Sequence, residues 1–171
     1  MAVRPVPEGY HTVTPYLTVR DLRKLLDYVQ KAFDATNVNA MTMPDGTIRH
    51  AEFQIGDSKL MAGEASEKWE PRPGTLYLYV PNVDAVFKKA VAAGGQVIME
   101  PTDMFYGDRN GGVTDPCGNQ WWIGTRIEEV SPEEMLEFAR LHAGVVNPGG
   151  RYAINPYYSR FAYFYWGFTN L

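Results

Sequence analysis

The feature that most constrains this chain is that it repeats itself. Shifted by 61 positions, VTPYLTVRDLRKLLDYV (13–29) lies over GTLYLYVPNVDAVFKKA (74–90), and KLMAG (59–63) lies over QWWIG (120–124) with the two glycines in register. A unit this short cannot bury a good core alone, so two copies must share one. Each copy reads as a strand, a helix and about three more strands. In the first copy these later strands are NVNAMTM, TIRHAEFQIG and SKLMAGE; in the second they are QVIME, GGVTD and NQWWIG. The segment EKWEPRPG (67–74), rich in proline and charge, separates the copies.

The helices carry their own start and stop signals. The first begins at Asp21 and gathers Leu22, Leu25, Leu26, Val29 and Phe33 on one face. The second begins at Asn82, gathers Val83, Val86, Phe87, Ala90 and Val91, and ends at Gly94-Gly95. Asp and Asn accept hydrogen bonds from the orphan amides of a first turn, and glycine tolerates the left-handed residue after a last one. An α+β fold follows, with two tandem βαβββ modules at about 11–66 and 74–127 inside a domain of 8–130. Ser131-Pro132-Glu133-Glu134 opens a third helix, expected over 131–143, with Met135, Phe138, Ala139 and His142 as its buried stripe. The extension 144–171 is dense in aromatic residues, nine of them between positions 151 and 171, and is expected to pack on a partner subunit or along the mouth of a pocket.

Strand alternation assigns the two sheet faces. Val13, Leu17, Val19, Ala51, Phe53, Ile55, Leu60, Ala62, Leu76, Leu78, Val80, Trp121 and Ile123 belong under the helices. The other face then receives Thr14, Tyr16, Thr18, His50, Glu52, Gln54, Met61, Thr75, Tyr77, Tyr79, Gln120 and Trp122. Tyrosine, tryptophan and a few polar groups suit a ligand pocket, in which rings supply area and polar atoms fix orientation. The same set would also suit a subunit interface.

Composition narrows the partners. A net charge of −4 without a basic run offers nothing to a phosphate backbone, so nucleic acid is not expected. No apolar stretch has the length of a membrane span or a signal peptide, and Cys117 has no internal disulfide partner. A cytoplasmic protein, a homodimer without membrane attachment, is the expectation.

The duplicated βαβββ pattern, together with TPYLTVRDLRKLLDYVQKAF, HAEFQIGDSKLMAGE, GDRNGGVTDPCGNQWW and VSPEEM, resembles the vicinal oxygen chelate superfamily. That group includes glyoxalase I, extradiol dioxygenases and the fosfomycin- and bleomycin-resistance proteins; the PhnB-like branch is the most similar. The resemblance implies four metal-ligand positions, one on the first and one on the last strand of each module. In this chain they hold Thr14, Met61, Thr75 and Trp122. None is a good ligand for a first-row metal, so neither a resident metal nor another cofactor is expected, and the usual glyoxalase I mechanism is not.

Three readings remain open at this stage. The leading one is a metal-independent small-molecule-binding protein that sequesters a planar or aromatic compound, or transforms it with Glu52 and His50 as a general acid/base pair. The pocket would be formed by Thr14, Tyr16, Gln54, Met61, Thr75, Tyr77, Tyr79, Gln120 and Trp122, with Arg109 as an anion clamp at the rim or as an ion-pair partner of a nearby carboxylate. A second reading is a metal-dependent lyase, isomerase or dioxygenase with a rearranged ligand set of His50 and Glu52 helped by His11 or Glu64. The third is an interaction protein whose own aromatic side chains fill the cup. Cys117, in a turn without an adjacent base, is not expected to be a nucleophile.

Overall fold

Each copy of the repeat folds into the same five elements in the same order. The computed structural model describes residues 3–143. Module one comprises β1 (Tyr16–Val19), α1 (Leu22–Phe33), β2 (Thr36–Thr42), β3 (Ile48–Ile55) and β4 (Ser58–Glu64). Module two comprises β5 (Thr75–Tyr79), α2 (Val83–Ala92), β6 (Gln96–Asp103), β7 (Asp108–Thr114) and β8 (Gln120–Arg126). Each forms a four-stranded mixed sheet, ordered β1-β4-β3-β2 and β5-β8-β7-β6, with the first strand of each parallel to the last. The register repeats too: Tyr16 sits opposite Met61 as Tyr77 sits opposite Trp122.

The last strand of each module caps the helix of that module. Glu64, just after Gly63, accepts from the amides of Asp21 at 2.9 Å and Leu22 at 2.6 Å. Its repeat equivalent Thr125, just after Gly124, accepts from the Val83 amide at 2.9 Å and donates to the Val80 carbonyl at 2.8 Å. The N-cap side chains act as the sequence implies: Asp21 accepts from the Lys24 amide and Asn82 from the Ala85 amide. Glu64 is thus occupied at a helix N-terminus, where its charge also complements the dipole, and is not available as a metal ligand.

One core serves both copies. Leu17, Val19, Leu22, Leu25, Val29, Ala51, Phe53, Leu60, Ala62, Val83, Phe87, Ala90, Val113, Trp121 and Ile123 form a single cluster. Trp121 is fully buried and meets Phe33 of the other module with ring centroids 4.8 Å apart. Two expectations fail at the edges. Val13 is 82% exposed, because β1 starts only at Tyr16: Pro15 has no amide to donate, and Thr14 turns back to the His11 carbonyl. Val91 is 38% exposed, beyond the edge of the buried stripe of α2.

The DPCGN turn ties the halves together. Asp115, 4% exposed, accepts from the amides of Cys117 and Asn119 at 2.8 and 2.9 Å, from Asn119 Nδ2 at 2.7 Å and from Trp121 Nε1 at 2.9 Å. Gly118 takes the left-handed conformation that closes the turn, with φ of 93°. Asn119 then accepts from the Gly74 amide at 3.1 Å, so the interior turn fixes the start of β5. Arg72 in the preceding linker pairs with Thr18 of β1.

The third helix, α3 (Pro132–Ala143), opens with the expected reciprocal cap. The Ser131 amide donates to Glu134 at 2.8 Å, and the Glu134 amide to Ser131 Oγ at 3.2 Å. Met135, expected to be buried, is exposed. The placing of His142 and the extension 144–171 lie outside the described side chains and residues. No helix among the described residues is long and apolar enough to cross a membrane.

Two measurements test the turn. Asp115→Ala strands several buried donors and should cost about 3 kcal/mol, a fall in melting temperature of roughly 10 °C; a loss no larger than that of the exposed Asp57→Ala would contradict the hub. Burial first, then the nearby charges of Asp115 and Asp21, push the Cys117 thiol up to about 11. Alkylation by iodoacetamide at pH 8 should therefore run roughly a hundredfold slower than for free cysteine and keep accelerating past pH 9; a rate equal to that of free cysteine would refute the shift.

Candidate functional site

The faces turned away from the helices hold the residues that could meet a ligand. In module one, β3 alternates Ala51 and Phe53 into the core with His50, Glu52 and Gln54 on the open face. Tyr16 from β1 and Met61 from β4 join them, since Glu52 lies opposite Met61 and Met61 opposite Tyr16. Tyr16 Oη is 3.4 Å from His50 Nδ1, and the two rings stack at 5.8 Å. His50 Nε2 is 3.8 Å from Glu52 Oε1, both side chains being about a third exposed. Gln54 is tied down, accepting from Asn37 Nδ2 and donating to the Gly56 carbonyl.

Module two repeats the scheme with other groups. Thr75, Tyr77 and Tyr79 on β5 and Gln120 and Trp122 on β8 share its open face, as alternation requires. The register that sets His50 opposite Gly63 sets Asn110 opposite Gly124. Accordingly, Asn110 Nδ2 donates to Tyr77 Oη at 3.1 Å and also to Tyr106 Oη, where module one has imidazole beside Tyr16. Where module one has the apolar Ile48, module two has Asp108, 1% exposed, which accepts from Tyr79 Oη at 2.8 Å, Tyr77 Oη at 3.2 Å and Arg126 Nη1 at 3.2 Å. Burial pushes the Tyr77 phenol well above its ordinary range, so it remains a donor near neutral pH.

The paired glycines of the repeat explain how the tyrosines lie. A Cβ at Gly63 would strike Tyr16 Oη, and one at Gly124 would strike Tyr77 Oη. Each tyrosine therefore lies across the central strand of its sheet over a residue without a side chain. Trp122 does the same over Gly112, whose Cβ would stand 2.9 Å from the indole.

Not every expected residue stands at these faces. Arg109 shares the helix side of β7 with Gly111 and Val113, and its guanidinium is taken by Asp84 at 2.9 and 2.8 Å and by Asp103 at 2.8 Å. Those carboxylates raise the Arg109 pKa, and Arg109 in turn holds Asp84 below the usual carboxylate range. It works as an ion-pair hub rather than standing on the open face. Thr14 precedes β1 and bonds locally to His11. Conversely, Asp108, Asn110, Tyr106 and Arg126 are missing from the expected open face, because the strand read as GGVTD begins at Gly111 whereas β7 begins at Asp108; the His50–Gly63 register carried through the repeat points to Asn110.

The residues present do not fit a family-type metal centre. Thr14, Met61, Thr75 and Trp122 offer hydroxyls, a thioether and an indole. Among the described residues, no group of three or more His, Cys, Asp and Glu side chains is placed to share an ion.

Comparison with known proteins agrees with this architecture. Residues 10–123 match the family model of the Glyoxalase/Bleomycin resistance protein/Dioxygenase superfamily. The uncharacterized protein Rv0887c of Mycobacterium tuberculosis is 33% identical over 134 residues, spanning 72% of this chain and 79% of that protein. TioX from Micromonospora sp. ML1 superposes with a TM-score of 0.60 at 22% identity, over 68% of this chain and 99% of TioX. A PhnB protein from Bacillus cereus superposes with a TM-score of 0.53 at 19% identity, over 67% of this chain and 99% of that one. At such identities the structural likenesses speak for the fold alone.

The seat of Tyr77 over Gly124 is testable by a double-mutant cycle. Gly124→Ala should cost about 1–3 kcal/mol in the wild type and nearly nothing in a Tyr77→Ala background, where the added methyl has room. Equal costs in both backgrounds would refute the contact.

Proposed function

Because the chain belongs to the Glyoxalase/Bleomycin resistance protein/Dioxygenase superfamily, we propose that it is a metal-independent small-molecule-binding member, holding a planar or aromatic compound against Tyr16, Tyr77, Tyr79 and Trp122. The observation that carries this reading is the occupancy of the four family ligand positions by Thr14, Met61, Thr75 and Trp122. A site rebuilt around His50 and Glu52 would have two good ligands, and Glu64 is engaged with the amides of Asp21 and Leu22. Aromatic surface, by contrast, is present on both open faces, with Tyr16, Tyr77 and Trp122 lying against Gly63, Gly124 and Gly112. Sequestration needs nothing more; a transformation would use Glu52 and His50 as acid and base.

The working unit in this proposal is a homodimer. Tyr16 is 55% and Tyr79 68% exposed in the single chain, and a second copy would bring further walls to these faces. A lone cysteine without an internal disulfide partner suits a cytoplasmic setting.

Fluorescence tests the pocket directly. Trp121 is buried in the core, whereas Trp122 is only partly buried, so a bound aromatic should quench chiefly the latter. Titration with a panel of planar aromatic metabolites and antibiotics should quench wild-type emission, and Trp122→Ala should weaken binding by about tenfold or more while leaving the fold intact. Undiminished binding by Trp122→Ala would move the pocket elsewhere.

A further inference from the structure

An acceptor that the fold leaves unpaired stands under the tyrosines of module two. Asn110 is fully buried, and its Oδ1 has no hydrogen-bond partner among the described residues. The orientation of the carboxamide is fixed by its neighbours. Tyr77 Oη donates its hydrogen to Asp108, so toward Asn110 it can only accept, and Nδ2 must face it. Nδ2 also donates to Tyr106 Oη. Both tyrosines are partly exposed, so the carboxamide lies one ring below the surface.

The repeat shows that the backbone does not require this arrangement. The β6–β7 turn at 104–107 and the β2–β3 turn at 43–46 close alike: the Gly107 amide donates to the Met104 carbonyl at 3.0 Å, as Gly46 does to Met43 at 2.9 Å. The Met104 amide donates to the Asp108 carbonyl at 2.7 Å, as Met43 does to Thr47 at 2.8 Å. Both glycines are left-handed, at φ 89° and 84°. Where the second turn carries Tyr106, the first carries Asp45, which is exposed and accepts from the Thr47 amide instead of reaching across the sheet. His50, which the register sets where Asn110 stands, is accordingly about a third exposed. Tyr106 is thus an addition to a turn that closes without it, and beneath it lies a polar group whose acceptor is unfilled.

A buried carbonyl without a partner costs stability, and a group that supplies the missing donor recovers it. With the Tyr106 ring swung aside, the carboxamide offers Oδ1 and one hydrogen of Nδ2 from a single plane, while Tyr77 keeps the other hydrogen. We propose that Asn110, covered by Tyr106 in this structure, is the polar subsite of the module-two face, and that it selects planar heterocycles with a lactam edge, whose N–H donates to Oδ1 and whose carbonyl accepts from Nδ2. This rests on the aromatic-pocket reading and specifies what that pocket selects. Tyr77 and Tyr79, with ring centroids 5.0 Å apart, and Trp122 on the same face supply the flat contacts. A ligand without the N–H leaves Oδ1 unpaired again, which is the situation in which discrimination between such analogues is large.

The test uses the full chain and three bicyclic compounds of one shape, titrated calorimetrically at neutral pH: 2-quinolinone, the lactam; coumarin, with a ring oxygen in place of the N–H; and naphthalene, with neither polar group. The wild type should bind the lactam about tenfold more tightly than coumarin, and Asn110→Leu should abolish that preference. Tyr106→Phe removes the competing partner of Nδ2 and should tighten lactam binding by about threefold to tenfold while leaving naphthalene unchanged. A tyrosine that only supports the fold would shift both compounds alike or neither. If Asn110→Leu does not fold, the wild-type preference and the Tyr106→Phe titration decide. A wild type without preference for the lactam over coumarin, or a Tyr106→Phe protein that gains no more for the lactam than for naphthalene, overturns the subsite. Binding of none of the three by the wild type instead overturns the aromatic-pocket reading, and the subsite with it.

Discussion

The rest of the molecule depends on the Asp115 carboxylate. Four donors converge on it: two amides of its own turn, the Asn119 side chain and the indole of Trp121. Through Trp121 it fixes the largest side chain of the shared core, which packs against Phe33 of the other module. Through Asn119 it reaches Gly74 and so sets where β5 begins. A buried carboxylate survives only when its lone pairs are filled, and here filling them holds a turn, a core and a strand entry together. That is why a stretch reading as turn residues followed by two tryptophans is structural at Asp115 and Trp121, whereas Trp122 lies on the opposite face of the sheet.

Duplication supplies the second theme. The backbone of each module solves the same problems the same way: a strand-end residue caps the helix, and a glycine on the central strand seats a tyrosine from the edge. The side chains around that tyrosine have diverged. Module one surrounds Tyr16 with His50 and Glu52, partly open to solvent; module two locks Tyr77 between Asn110 and buried Asp108. A locked phenol offers a rigid wall, while a loosely met imidazole and carboxylate offer capacity for a ligand. At the positions where the family resemblance implies metal ligands, this chain holds the hydroxyls of Thr14 and Thr75, the thioether of Met61 and the indole of Trp122.

The fold was legible because its signals are local and repeated. Asp21, Asn82 and the Ser131/Glu134 pair mark helix starts through hydrogen bonds a few residues away, and period-two alternation separates Trp121 from Trp122 without knowledge of the tertiary structure. Val13 lies outside β1, because Pro15 has no amide to donate to the ladder even though its carbonyl still accepts from Met61. Arg109 has a partner, Asp84, on the preceding helix α2, which strand alternation alone does not reveal. Asp108 and Asn110 fall before GGVTD, where alternation of apolar residues gives no strand signal; pairing with β8 extends β7 back to Asp108.

The central claim is that ligand binding on this scaffold proceeds here without a metal. Its most direct test is the affinity for a quenching aromatic ligand, measured before and after exhaustive dialysis against EDTA and again after adding one equivalent of zinc, nickel or manganese. The account predicts one affinity throughout. Loss of binding on chelation, restored by a single equivalent of ion, would contradict it.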